Sequence, residues 1–122
     1  MVSRTLRYVC GMAVCGLAST AAHAGFYSGN ELYDVCTTER SSNAYVEKTF
    51  ECVAYISGAV DAFNTTRAAN GLKSCIPPDV TVSQLRSVTV DTLRNNPVDR
   101  NGPASALVFR ATRKAWPCPN KK

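Results

Sequence analysis

The six cysteines of this chain limit what it can fold into more than any other feature. Cys10 and Cys15 lie in an N-terminal stretch built like a secretory signal. Arg4 and Arg7 come first, an apolar run from Tyr8 to Ala18 follows, and Ala22-His23-Ala24 then puts small residues where a signal peptidase reads them. That run is well short of the roughly twenty residues of a membrane-spanning helix, so it predicts a cleaved leader over 1–24 and no stable membrane anchor. A lipid-modified Cys15 is disfavoured by Val14, because a small residue normally precedes such a cysteine. The mature chain then begins at Gly25 and keeps Cys36, Cys52, Cys75 and Cys118. None of these lies within a few residues of another, as zinc knuckles require, and an even number in an oxidising compartment predicts two disulfides.

Residues 25–122 are enough for one small domain. Without the leader, Lys plus Arg falls from 14 to 12 against 9 acids, a net charge of +3. The basic residues are scattered, which argues against a nucleic-acid partner. Ser28-x-x-Glu31 and Thr81-x-x-Gln84 are capping boxes, with Tyr27/Leu32 and Val80/Leu85 as their hydrophobic staples. They predict helices over about 29–40 and 82–95, the second with Leu85, Val88, Thr89 and Thr92 inward. Between them a long helix over about 44–69 ends at Asn70-Gly71, where glycine can take a left-handed cap. Its residues Val46, Phe50, Val53, Ala54, Ser57 and Asp61 share one face, and Tyr45, Cys52, Ile56, Ala59 and Phe63 share another. A helix apolar on two faces is expected at the centre of the fold. A fourth helix follows Pro103, with Ala104, Leu107, Val108 and Ala111 inward. The expected fold is therefore all-α, a four-helix domain. Folding the first two helices back on each other pairs Cys36 with Cys52 and leaves Cys75 for Cys118, although sequence alone permits three connectivities.

Groups suited to catalysis are scarce. His23, the single histidine, leaves with the leader, and oxidised cysteines supply no thiolate. Glu47 and Glu51 sit beside Lys48 on a polar strip and read as a solvated face. Asp61 falls on an apolar face, where a buried carboxylate would need partners, and reads as a structural contact. Gly58, costing its helix about 1 kcal/mol relative to alanine, reads either as a close approach of another backbone or as a tolerated surface glycine. Asn64-Thr65-Thr66 matches a glycosylation acceptor, but its place inside a helix argues against use. Phe109 points away from the inward stripe of its helix, with Arg110 and Arg113 beside it. It is either an interface anchor or a residue covered by Phe26 and Tyr27 or by a second copy. No enzyme activity and no cofactor are expected.

Several of these residues form a pattern. Cys36 is followed by Cys52-x-x-Tyr55-Ile56-x-Gly58-x-x-Asp61, then Cys75-Ile76-Pro77, Val80-Thr81-x-x-Gln84-Leu85, Leu93 with Pro97, and Trp116-Pro117-Cys118. In order and spacing the chain resembles the Rap/Tai immunity proteins, which protect bacteria from peptidoglycan amidase effectors delivered by type VI secretion. The resemblance implies a small helical periplasmic protein, often a homodimer, that blocks a cysteine amidase by protein contact. In that family a histidine often precedes the proline after the third helix, where this chain has Asn96. The candidate contacts are the 96–101 loop, with Asn96, Asp99 and Arg100, and the face carrying Phe109 and Arg113. The alternative is a general envelope protein, an acid-stress chaperone or scaffold, with no cognate toxin.

Protein recovered after export is expected to begin at Gly25 by intact mass and to leave all four remaining cysteines unreactive toward a thiol probe until reduced. A retained leader, or a free thiol in the folded protein, would contradict the reading.

Overall fold

The computed structural model describes residues 27–119. The leader with Cys10, Cys15 and His23, its cleavage site, Phe26 and Lys121-Lys122 lie outside the described residues. Four helices follow in order: α1 (Gly29–Cys36), α2 (Tyr45–Ala69), α3 (Val82–Asn95) and α4 (Ala104–Ala115), with a 3-10 turn over Pro97–Asn101 between the last two. Among the described residues the only extended pairing is a single antiparallel bridge between Ser28 and Pro103. No helix among them is long and apolar enough to cross a membrane.

Both capping boxes form, with Ser28 accepting from the Glu31 amide and Thr81 from the Gln84 amide. The Glu31 carboxylate accepts from the Ser28 backbone N–H at 2.7 Å, and that bond, with the one from the Ser28 hydroxyl, holds its carboxyl below the usual carboxylate range. α3 has its expected bounds, but its buried residues are Leu85, Thr89, Val90 and Leu93, while Val88 and Thr92 are half-buried at the edge of the stripe. α4 starts one residue after Pro103, its N-cap, and buries Ala104, Leu107, Val108 and Ala111 as expected. The left-handed cap after α2 is Gly71, at φ 68°.

α1 is shorter than expected, ending at Cys36 instead of near Arg40. The hydroxyls of Thr37 and Thr38 turn back onto the carbonyls of Tyr33 and Asp34, and Arg86 from α3 donates to the Cys36 carbonyl at 2.6 Å. These bonds satisfy the end of the helix and compete with its next turn. α2 departs more. Its buried residues are Cys52, Ile56 and Val60, so only one of its two apolar faces enters the core. Val46 is 64% and Phe50 72% exposed, and Asp61 on the same face is exposed too. Asp61 is therefore not a buried structural carboxylate, and α2 meets the other three helices through one face.

The core is built around the Cys36–Cys52 bridge, both residues fully buried with Leu32, Ile56, Leu93 and Val108. Cys75–Cys118 ties the loop after α2 to the C-terminal segment, where Ile76 and Trp116 pack on the core. Its sequence separation of 43, against 16 for the first bridge, gives loop-entropy contributions of roughly 4 and 3 kcal/mol.

The two informative glycines behave oppositely. A β-carbon at Gly29 would meet Leu107 Cδ1 and lie 2.8 Å from Arg100 Cα and 2.9 Å from Arg100 O, so a side chain there forces two backbones apart. At Gly58 a β-carbon meets nothing within 4 Å, which makes it a surface glycine. Gly29→Ala is expected to destabilise by about 1–3 kcal/mol or more through overpacking. Gly58→Ala should be neutral or stabilise by up to about 1 kcal/mol. Urea unfolding of the two variants checks this, and equal midpoints would refute the close approach at Gly29.

Candidate functional site

The loop between α3 and α4 is held at both ends. Asn96 caps α3, its side-chain amide donating to the Thr92 carbonyl at 2.8 Å. At the far end the Gly29 amide donates to the Gly102 carbonyl and the Ala104 amide to the Tyr27 carbonyl, both at 2.9 Å. Asn30 Nδ2 donates to Asn101 Oδ1 at 2.9 Å, and the Arg100 guanidinium lies 4.3 Å from the centre of the Tyr33 ring. A short loop so anchored presents its remaining side chains rigidly. Val98 is at its tip and 84% exposed. It stood in the sequence as one apolar residue inside a polar loop, a signal that reading by helical periodicity passed over.

Asp99 leads from the loop to α4 by accepting a hydrogen bond from Arg110. This ion pair is about half exposed on both sides, where such pairs contribute about 0–1 kcal/mol, so it orients the loop more than it stabilises the fold. Beside Arg110, Phe109 is half-buried and packs edge-on against Phe63 of α2, with ring centres 4.3 Å apart. Phe63 is therefore its cover. Tyr27 packs on Tyr55, with ring centres 5.0 Å apart.

Arg113 lies 5.4 Å from the Phe109 ring centre and Arg67 lies 5.7 Å from that of Phe63. An aromatic pair thus carries a guanidinium at each end, the geometry of cation–π attraction. Arg67 is fixed further by donating to the Lys73 carbonyl at 2.8 Å. Lys114 joins Arg110 and Arg113 around an open depression of about 460 Å³ on α4. It also borders a groove of about 270 Å³ between α3 and α4 that reaches Asn96. The loop and α4 candidates are therefore neighbours, joined through Asp99 and Arg110 on one side and through Lys114 and Asn96 on the other. The surface carries Arg110, Arg113 and Lys114 against Asp99, a net positive balance.

Asp61 and Gly58 lie on the exposed face of α2. Glu47 is exposed, and Glu51 pairs with Lys48 at 2.7 Å on the polar strip. Asn64 accepts from the Ser74 hydroxyl at 2.9 Å from within α2. Among the described residues no three of His, Cys, Asp and Glu gather so as to hold a metal ion. The arrangement suits recognition of another surface by charge, one exposed apolar tip and aromatic packing.

The Phe63–Phe109 contact should show as coupling of about 0.5–1.5 kcal/mol in a double-mutant cycle of Phe63→Leu and Phe109→Leu, read by urea unfolding. Strict additivity would mean that the rings do not support one another.

The family model described as Rap1a immunity proteins matches residues 28–118. No curated protein and no solved structure matches the chain.

Proposed function

This chain belongs to the Rap1a immunity protein family, and we propose that it is a periplasmic inhibitor that binds a peptidoglycan amidase effector of type VI secretion. Membership in an immunity family implies that a protein effector is the partner. The amidase, the delivery route and the periplasm come from the sequence resemblance. Two disulfides fit an oxidising compartment, and residues 1–24 serve as the leader that takes the 25–122 domain there.

The observation that carries the reading to particular residues is the anchored loop. Val98 stands exposed on a segment fixed by Gly29, Asn30 and Tyr33, so inserting it into a cleft costs little conformational entropy. The neighbouring Arg110, Arg113 and Lys114 supply a positive rim for an acidic border of the partner and speed encounter. Asn96 fills the position before the proline by capping α3, so its side chain is committed to the fold. Inhibition then needs contact alone and no chemistry from this chain. The resemblance also carries a homodimer.

The test is coexpression with a peptidoglycan amidase effector encoded in the same genome. Rescue of growth and a copurifying complex are expected. Val98→Glu and Arg113→Glu should each weaken the complex at least tenfold with unchanged unfolding midpoints, an effect of over about 1.4 kcal/mol. Light scattering of the free protein reads the homodimer in the same preparation. Failure of the wild type to bind or rescue would overturn the inhibitor reading. Binding that survives both variants would move the contact elsewhere.

A further inference from the structure

A polar cavity of about 370 Å³ lies beside the turn between α1 and α2 and shares no residue with the loop and α4 surface. Three arginines from separate places in the chain line it: Arg40 from the turn, and Arg86 and Arg94 two turns apart on α3. Tyr45 also lines it, and Glu39 is the one carboxylate that does.

Arg86 is fixed here by donating through Nη2 to the Cys36 carbonyl at 2.6 Å. Its Nε is buried and has no hydrogen-bond partner. A buried donor left unpaired costs about 1–3 kcal/mol, and more on a charged group. Capping the end of α1 accounts for one nitrogen of Arg86. It does not account for two further guanidinium groups at the same cavity. Arg94 gives Nη1 to Asp91 at 2.8 Å, yet both side chains are over half exposed, so this pair is easily exchanged.

We propose that this cavity is an oxyanion site that takes a phosphate or carboxylate group of a small solute. Arg86 forms its fixed floor, and Arg40 and Arg94 close over the ligand. A guanidinium fork matches two oxygens of such a group at once, which a simple halide cannot use.

The test uses the folded, disulfide-bonded protein, with inorganic phosphate and acetate titrated separately at constant ionic strength and chloride as the control. Arginine Nε–H signals are followed by NMR. A saturable shift of the Arg86 signal is expected with phosphate, with acetate or with both, the two arms telling which group the site prefers. The double variant Arg40→Gln/Arg94→Gln keeps the Arg86 bond to Cys36 and should weaken that binding at least tenfold without moving the unfolding midpoint. No saturable shift with either oxyanion, an equal response to chloride, or unchanged binding by the double variant would overturn the assignment.

Discussion

Two backbone hydrogen bonds, from Gly29 to Gly102 and from Ala104 to Tyr27, clamp the start of α1 against the start of α4. The clamp is tight because residue 29 has no side chain, which lets the Arg100 backbone lie where a β-carbon would be. Most of what is distinctive about the surface follows from it. The five residues from Pro97 to Asn101 must cross from the end of α3 to a point fixed beside α1, and a 3-10 turn spans that distance. Val98 is thereby turned outward while Arg100 lies back on Tyr33. A longer side chain at position 29 would alter the loop and the packing of Leu107 together, so surface and core share one constraint.

The core beneath it shows a division of labour between apolar contact and covalent linkage. Leu32, Ile56, Leu93 and Val108 come one from each helix and meet around the Cys36–Cys52 bridge. A domain this small buries a limited fraction of its surface, and crosslinks compensate by restricting the unfolded chain. Thr89 and Thr112 are also fully buried. Thr112 returns its hydroxyl to the Phe109 carbonyl, whereas the Thr89 hydroxyl has no partner, so α3 carries a small polar cost at the centre of the bundle.

Much of the fold was legible in the sequence because its signals are local. The two capping boxes set the starts of α1 and α3, and Gly71 and the Pro97 break set the ends of α2 and α3. Both disulfide pairings followed from folding α1 back onto α2. What could not be read depends on partners distant in the chain. α2 carries apolar residues on two faces, and periodicity cannot say which face the other three helices will cover. Hence Phe50 and Asp61, on one of its two apolar faces, lie outward. α1 stops early because Arg86, fifty residues away, meets its last carbonyl. Phe109 was recognised as facing away from the α4 stripe, but its cover by Phe63 depends on how α2 crosses α4. Val98 had no periodic context, and only the anchoring of its loop gives its exposure meaning.

The two disulfides are arranged one after the other along the chain, 36 to 52 and then 75 to 118, and do not interlock. Closing the first therefore needs no residue beyond the middle of α2. A chain that enters an oxidising compartment N-terminus first can seal the α1–α2 hairpin while its second half is still arriving. Cys75 and Cys118 then each find both of their wrong partners, Cys36 and Cys52, already consumed. In such a chain, order of arrival favours the native pairing without reshuffling.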